Sequence, residues 1–250
     1  KIGDTTAIRV NVMKRGEGSF RENVETGTSP TIEREGIAPS ISFGLGTNNQ
    51  FTLSHYYLKT DDNPDYGIKF YRNDGTPLGR GESGGTTNDR FIKNYAGTKN
   101  TFDRSTTNIS TLSHLYRFSN NTEVKTAIRN SHYQRDYAAA KPNDEGTSGS
   151  SFATRSFDIN NLAIQSDISH KTTLAGMKHE MLAGVEYFEE SGWRASLRNT
   201  GGNGVDSRYQ AGETVLPGSN GSPQTYKGKN YSVFLQDKAE FVKDWKFLLG

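Results

Sequence analysis

The stretch GIAPSISFGLG at residues 36–46 decides the fold class of this chain. Its even positions carry only glycine, alanine and serine. The larger apolar residues occupy its odd positions, namely Ile37, Pro39, Ile41, Phe43 and Leu45. Because successive residues of a β-strand point to opposite faces of the sheet, this alternation predicts a strand with one apolar face and one small or polar face.

The same alternation recurs along the chain and predicts a series of antiparallel hairpins. A turn at residues 47–49 leads into a strand in which Phe51, Leu53 and Tyr57 alternate with hydroxyl-bearing residues. Together with an opening strand over residues 8–12, the whole pattern predicts an all-β, antiparallel chain of about nine strands. The other predicted hairpins turn near residues 119–122, 169–178 and 242–245.

The connections between these strands alternate between short and long. The short ones lie near residues 46–49, 119–122, 169–178 and 242–245. The long ones cover roughly residues 15–30, 61–104, 138–152 and 191–226. Short turns at one end of the sheet and long loops at the other are typical of bacterial outer-membrane barrels. The predicted strands of roughly 11 to 16 residues exceed the roughly 5 or 6 usual in soluble sheets and cover the roughly 9 to 11 that a tilted transmembrane strand needs.

The composition excludes several classes of protein. Cysteine is absent, so neither a disulfide nor a cysteine metal site is expected. The mean hydropathy is -0.78, and no apolar run approaches the roughly 20 residues of a membrane-spanning helix. A formal net charge of +2 without a basic stripe makes nucleic acid an unexpected partner.

The sequence also gives no sign of catalysis or of a metal site. The five histidines show no metal-ligand spacing. The neighbouring carboxylates Asp61-Asp62 and Glu189-Glu190 would point to opposite faces of a strand, so neither pair is suited to acid-base chemistry. We therefore expect no catalytic residue and no metal ligand, and we expect that the protein is not an enzyme.

Several segments resemble a known family of membrane proteins. GIAPSISFGLGT at residues 36–47, FTLSHYY at 51–57 and DDNPDYGI at 61–68 are similar to the barrel of TonB-dependent siderophore receptors, and most similar to their catecholate-type branch. YSVFLQD at 231–237 and WKFLLG at 245–250 are similar to a strand pair found widely across these receptors. The resemblance covers most of the chain as one continuous barrel section.

The resemblance implies an antiparallel transmembrane β-barrel of about 22 strands, with an N-terminal plug domain in its lumen. Residues 1–250 would then be a partial barrel domain, with the plug and the energy-coupling box outside it. Lys1 is not an initiator and residues 246–250 look like the opening of another strand, so we expect a section of a longer protein. The implied location is the bacterial outer membrane, which the chain would cross many times. The implied function is the uptake of a ferric siderophore. The implied partners of the protein are that siderophore, the membrane lipid and, through the N-terminal region outside this chain, the TonB complex.

The predicted long loops carry the residue types that would capture such a ligand. Ferric siderophores are large, often anionic chelates; arginine offers a planar fork to anionic oxygens, and tyrosine or tryptophan stacks on catechol-like rings. The resemblance thus implies six siderophore-binding candidates: Tyr66, Arg72, Trp193, Arg194, Arg208 and Tyr209. Tyr95 lies in the same predicted loop as Tyr66. Each of these could instead be an ordinary surface residue, and Trp193 could be an aromatic residue at the membrane interface. Since the iron arrives already chelated, the protein itself is expected to have no cofactor.

A further set of polar side chains falls on the polar rows of the predicted strands. These residues are expected to face the lumen of a barrel, or else the solvated face of a sheet. They are Arg129, Arg135, Gln165, Asp167, Glu186, Gln236, Lys238 and Glu240.

Two other functions remain compatible with the pattern. A porin or a barrel for another nutrient would share the alternation but have no plug, so the sequence upstream of residue 1 separates it from a siderophore receptor. A soluble all-β carbohydrate-binding domain would share the strands, and solubility of the full-length gene product without detergent would favour it.

Overall fold

The structure is a computed structural model that describes residues 2–76, 78, 85–87, 91–98, 100–142, 148–197, 223–242 and 244–250. Its strands are β1 (Ala7–Gly18), β2 (Thr31–Phe43), β3 (Asn49–Asp62), β4 (Phe70–Tyr71), β5 (Thr86–Thr87), β6 (Phe102–Ser119), β7 (Thr122–Pro142), β8 (Ser148–Leu174), β9 (Met177–Ala195), β10 (Gln224–Val242) and β11 (Trp245–Leu249). Within the described residues, no helix is long and apolar enough to cross a membrane.

Nine of these strands form a single antiparallel sheet in the order β1-β2-β3-β6-β7-β8-β9-β10-β11. The short strands β4 and β5 pair only with each other, inside the connection between β3 and β6. The prediction of about nine antiparallel strands is confirmed, because each alternating segment of the sequence pairs with the next one along the chain.

The strand register aligns the apolar positions into rows across the sheet. One row of direct partners crosses eight strands through Ile8, Ile41, Leu53, Leu112, Ile128, Ile164, Tyr187 and Tyr231. The side of the sheet that carries this row is called the apolar face below. None of its members is buried: five are exposed, among them Leu53 at 52% and Tyr231 at 74% of their full accessibility, and Ile41, Ile164 and Tyr187 are half-buried.

The opposite side, called the polar face below, carries the residues between those positions. Arg129 pairs with Ala163 and Glu186 with Gln165 on this side, and Gln236 and Lys238 follow on β10. All eight polar residues predicted to share a lumen-facing row lie on this face. A sheet with one exposed apolar face and one polar face is what a membrane barrel wall requires.

All four short turns lie near their predicted places; the first begins at Gly44 rather than at residue 46, and the third is tighter than predicted. The connection predicted over residues 169–178 is a two-residue turn, Ala175-Gly176, because β8 continues to Leu174. Both turn residues have positive φ, 51° and 79°, as a tight turn between twisted strands needs. At the first turn, Gly44 has φ 70° and lies so close to Asn49 that a Cβ would be 1.9 Å from its carbonyl oxygen.

Two of the long connections are shorter than the sequence predicts. The prediction of a loop over residues 138–152 is wrong, because β7 runs to Pro142 and β8 begins at Ser148. The connection predicted over 191–226 begins only after β9 ends at Ala195, and β10 begins at Gln224. Ala138, Ala140 and Phe152 on these extensions form a buried cluster with Phe102 of β6 and with Leu197, which follows β9, at the end of the sheet where the long connections lie.

Candidate functional site at the long-connection end

The apolar face changes character toward the long connections. Beyond Tyr57 on β3, the same row continues with Lys59 and Asp61. Beyond the partners Tyr187 and Tyr231, whose rings lie 5.1 Å apart, it continues with Glu189 on β9 and Lys229 on β10. The hydrocarbon-compatible part of the wall therefore ends at these tyrosines, since aromatic side chains favour the interface and charges favour water.

The charges just beyond this level pair across the strands. Lys227 Nζ lies 2.7 Å and Lys229 Nζ 3.8 Å from the carboxylate of Glu189. The hydrogen bonds from Lys227 and from the Tyr187 hydroxyl lower the pKa of Glu189 to about 2. Glu189 therefore stays ionised at every physiological pH.

On the polar face at the same end, two arginines hold two aspartates that face each other across β3 and β6. Arg34 donates from Nη2 at 2.7 Å and from Nε at 3.2 Å to one oxygen of Asp62. Arg135 forms a two-pronged pair with Asp103, with distances of 2.7 Å and 2.6 Å. Asp62 and Asp103 are direct register partners, so the four residues form a continuous Arg–Asp ribbon across the sheet.

Aromatic and further basic groups extend this ribbon. The Arg135 guanidinium lies 5.0 Å from the centre of the Tyr137 ring, within the range of a cation–π contact. Hydrogen bonding to Asp103 raises the pKa of Arg135 above its ordinary value, so its charge is permanent. Arg15 lies opposite Arg34 in the register and pairs with Glu17 at 2.7 Å. The ribbon combines the planar cations and rings that recognise aromatic, anionic ligands.

An open cavity of about 400 Å³ lies at the long-connection end of β1, β2 and β3, mainly on the side of the sheet opposite to the ribbon, since six of its eight lining residues share the face of Lys59. Its lining residues are Lys14, Arg15, Gly16, Glu33, Arg34, Glu35, Lys59 and Asp61. The lining has four basic and three acidic side chains, so its formal charge of +1 is too small to select an anion by itself.

The structure changes the interpretation of the predicted pair Trp193 and Arg194. Both were predicted to lie in a loop, which is wrong, because β9 continues through them to Ala195. As neighbours on a strand they point to opposite sides of the sheet: Trp193 shares the side of Tyr187, and Arg194 shares the side of Glu186. Arg194 is exposed and donates from Nε to Gln224 Oε1 at 2.7 Å.

The other predicted binding residues have separate surroundings. Tyr66 is 51% exposed in the connection after β3, which agrees with a surface role. Arg72 lies next to β4 and donates to Thr76 Oγ1 at 2.9 Å. Arg208 and Tyr209 lie outside the described residues. Tyr95 is only 1% exposed, so it cannot contact a ligand as its place in a predicted loop suggested.

The sequence reasoning missed Arg34, Asp62 and Asp103 as members of a common site. Extending the period-two pattern of residues 36–46 back by two positions would have placed Arg34 on the small and polar row. No local signal, however, indicates that Asp62 and Asp103 are partners. Among the described residues, no cluster of three or more histidine, aspartate or glutamate side chains could hold a metal ion.

Comparison with known proteins gives a consistent result. Residues 39–250 match the family model described as TonB dependent receptor-like, beta-barrel. The chain is 27% identical over 274 residues to the catecholate siderophore receptor Fiu of Escherichia coli, and the match covers 98% of this chain but 34% of that protein. A probable TonB-dependent siderophore receptor, PiuA of Acinetobacter baumannii, is 28% identical over 196 residues, which cover 76% of this chain and 25% of PiuA.

Solved structures show the same fold. The crystal structure of the siderophore receptor PiuA from Acinetobacter baumannii matches with a TM-score of 0.74 at 23% identity, and covers 98% of this chain and 38% of that one. The open form of the ferric-catecholate import receptor Fiu of Escherichia coli matches with a TM-score of 0.72 at 23% identity, and covers 99% of this chain and 40% of that one. The chain thus spans about a third of the length of the curated Fiu that it matches.

Proposed function

This chain belongs to the TonB-dependent receptor β-barrel family, and from that premise we propose that it forms part of the wall of a receptor that imports a ferric siderophore of the catecholate type. The family is one of bacterial outer-membrane receptors rather than enzymes. The apolar face then lies against lipid, the polar face lines the lumen, and the long connections lie outside the cell. The proposed partners are the ferric siderophore, membrane lipid and the TonB complex.

The Arg–Asp ribbon is the observation that supports this substrate class best. A ferric catecholate is anionic and presents aromatic rings, and the ribbon places Arg135 and Tyr137 together on the polar face at the extracellular end. A guanidinium can shift from a carboxylate neighbour to anionic catecholate oxygens without losing its planar pairing geometry. Because the iron travels inside the chelate, the protein has no need to supply a ligand to the metal, and we propose that it holds no cofactor.

The test is uptake by the full-length receptor in a strain without other iron-uptake receptors. We expect growth on a ferric catecholate as the sole iron source, little growth on a ferric hydroxamate, and loss of growth when TonB is deleted. Growth that does not need TonB would contradict the proposal and favour a porin. Growth on the hydroxamate alone would contradict the substrate class while leaving the receptor function intact.

The variant Arg135→Lys tests the role of the ribbon, because lysine keeps the charge and loses the planar fork. We expect it to weaken ferric-catecholate binding about tenfold, the effect of one lost charge-assisted hydrogen bond. Arg129→Lys is the matched control, since Arg129 lies on the same face of the same strand but six residues nearer the short turn. Equal loss in both variants would mean that the ribbon has no special part in binding.

A further inference from the structure

Asn23 joins two connections that are far apart in sequence. Its side chain is fully buried and its Nδ2 donates at 2.8 Å to the carbonyl oxygen of Gly97, 74 residues away. Its Oδ1 accepts hydrogen bonds from the backbone N–H groups of Glu25 at 2.9 Å and Thr26 at 3.2 Å. One amide therefore shapes its own connection and binds it to another.

Tyr95 joins its own segment to an earlier segment of the same connection between β3 and β6. It is 1% exposed, and its hydroxyl lies 2.6 Å from Oδ1 of Asn63 and 3.1 Å from the carbonyl oxygen of Pro64. Asn63 in turn donates from Nδ2 to the carbonyl oxygen of Ser29 at 2.9 Å, which closes the set. Burial and the nearby Asp65 raise the pKa of Tyr95, so its hydroxyl remains a neutral donor.

Backbone contacts reinforce these links. Glu22 donates its N–H to the carbonyl oxygen of Lys93 at 3.0 Å, and Tyr95 donates its N–H to that of Glu22 at 3.1 Å. Asn63 and Thr31 exchange both of their backbone hydrogen bonds. Residues 19–31, 63–69 and 91–98 are thus tied pairwise to one another, and these three segments are called the platform below.

Gly97 makes room for the buried ring at the centre of the platform. A Cβ at this position would lie 1.9 Å from the ring and the hydroxyl of Tyr95, so any larger residue forces the ring out. The platform therefore depends on one small residue, one buried amide and one buried hydroxyl.

The platform presents a side chain that faces outward. Tyr66 is 51% exposed and lies between Asp65, which pairs with Arg21 at 3.0 Å, and Gly67, whose N–H donates to Asp65 Oδ1 at 2.8 Å. The residues on both sides of Tyr66 are fixed, while its ring is accessible. Such an arrangement lowers the conformational entropy that a ligand contact would otherwise remove.

We propose that Asn23 and Tyr95 are positioning residues that lock three segments of two extracellular connections into one preformed platform and so hold Tyr66 ready for ligand capture. This inference rests on the proposed receptor function. The platform moves as a unit: releasing one segment loosens the other two. Its function is to raise the fraction of receptors whose mouth is competent to bind, and apparent affinity falls in proportion to that fraction.

Hydrogen exchange of the full-length receptor in detergent tests the coupling without any ligand. Tyr95→Phe keeps the ring and removes the hydroxyl, and we expect amide exchange in all three segments to become about tenfold faster, as local opening requires less free energy. Gly97→Ala should speed exchange in the same three segments, because the added Cβ displaces the Tyr95 ring. Tyr116→Phe, at the short-turn end of β6, is the matched control and should leave the platform unchanged.

The result that overturns the platform is faster exchange confined to residues 91–98 in both variants, or no change in either. Unchanged exchange in the strands of the sheet confirms in each case that the barrel is folded.

Binding of the ferric complex of dihydroxybenzoate then tests the positioning role. We expect Gly97→Ala, in which the added Cβ forces the Tyr95 ring out of its place in most receptors, to weaken the apparent affinity about tenfold by slowing association, while uptake at saturating ligand keeps the wild-type rate. Unchanged affinity in Gly97→Ala, with the three segments exchanging fast, would overturn the positioning role. If the wild-type receptor binds no ferric catecholate, the proposed function fails, whereas the exchange result still decides whether the platform is one unit.

Discussion

At the scale of single residues, Gly184 sets the packing of the polar face between β9 and β10. Its register partner is Phe234, and a Cβ on Gly184 would lie 2.3 Å from the nearest atom of that ring. The ring therefore occupies the space that any other residue would fill with its own side chain. A large aromatic residue can lie flat on this face only because its partner is glycine.

We predict that Gly184→Val lowers the free energy of unfolding by about 1–3 kcal/mol, because the added methyl groups overpack the site. The free energy is measured by urea titration of the full-length receptor in detergent micelles. Gly228→Val is the control, since a Cβ at Gly228 meets nothing within 4 Å. In the double variant, Phe234→Ala should restore most of the unfolding free energy that Gly184→Val removes. A double variant that loses as much free energy as the two single variants Gly184→Val and Phe234→Ala lose together would contradict this explanation.

Glu189, which lies outside the part of the sheet that faces hydrocarbon, gives a prediction for how the stability of the folded protein depends on pH. Its pKa in the folded protein is about 2, below its ordinary value of 4.5, so its ionised form stabilises the folded state above pH 4.5 and this contribution disappears as the pH falls toward 2. Glu189→Gln should therefore lower the Tm at pH 7 but leave it unchanged at pH 2. Glu186→Gln, on the opposite face of β9, should keep the wild-type difference in Tm between pH 7 and pH 2; a loss of that difference there as well would point to a general effect of charge.

At the scale of elements, each strand is defined by the contrast between its two faces. Val233 is 84% exposed on the apolar face of β10, whereas its neighbour Ser232 lies on the polar face opposite Glu186. We predict that Val233→Arg destabilises the membrane-inserted receptor by about 2–4 kcal/mol, while Ser232→Arg is nearly neutral because it faces the aqueous lumen.

Folding titrations into lipid vesicles measure this difference. Equal losses of folding free energy in the two variants would contradict the assignment of the apolar face to lipid. A larger loss for Ser232→Arg would mean that the polar face, rather than the apolar face, lies against lipid.

The same contrast explains which elements the sequence could predict. The alternating stretch of β2 was predicted as a strand because its apolar row lies on one face, but its bounds were not, since β2 begins at Thr31 and ends at Phe43 rather than covering residues 36–46. The ends of β7 and β8 were missed because Ala138, Ala139 and Ala140 do not alternate. All three are buried at 6% exposure or less, so both sides of the strand are covered and carry the same kind of residue.

At the scale of the whole molecule, the candidate site depends on contacts between residues that are distant in sequence. Asp62 meets Asp103 through the register of β3 and β6, and Asn23 meets Gly97 across 74 residues. Residue types alone predicted the face on which Arg135 lies, since that follows from period two. They could not predict its partner, because the length of the intervening connection and the register of the strands fix which acid lies opposite.

The strand geometry separates two residues that the sequence placed together, and this yields a direct test of the receptor. Arg194 lies on the lumen side of β9 and Trp193 on the outer side, so only Arg194 can reach a ligand inside the mouth. We predict that Arg194→Ala weakens binding of a ferric catecholate about tenfold, as expected for a lost charge-assisted hydrogen bond, and that Trp193→Ala leaves the affinity unchanged. Fluorescence titration of the purified full-length receptor measures both. Equal weakening in the two variants would mean that the ligand also contacts the outer side of β9. That result would contradict the assignment of ligand binding to the polar face.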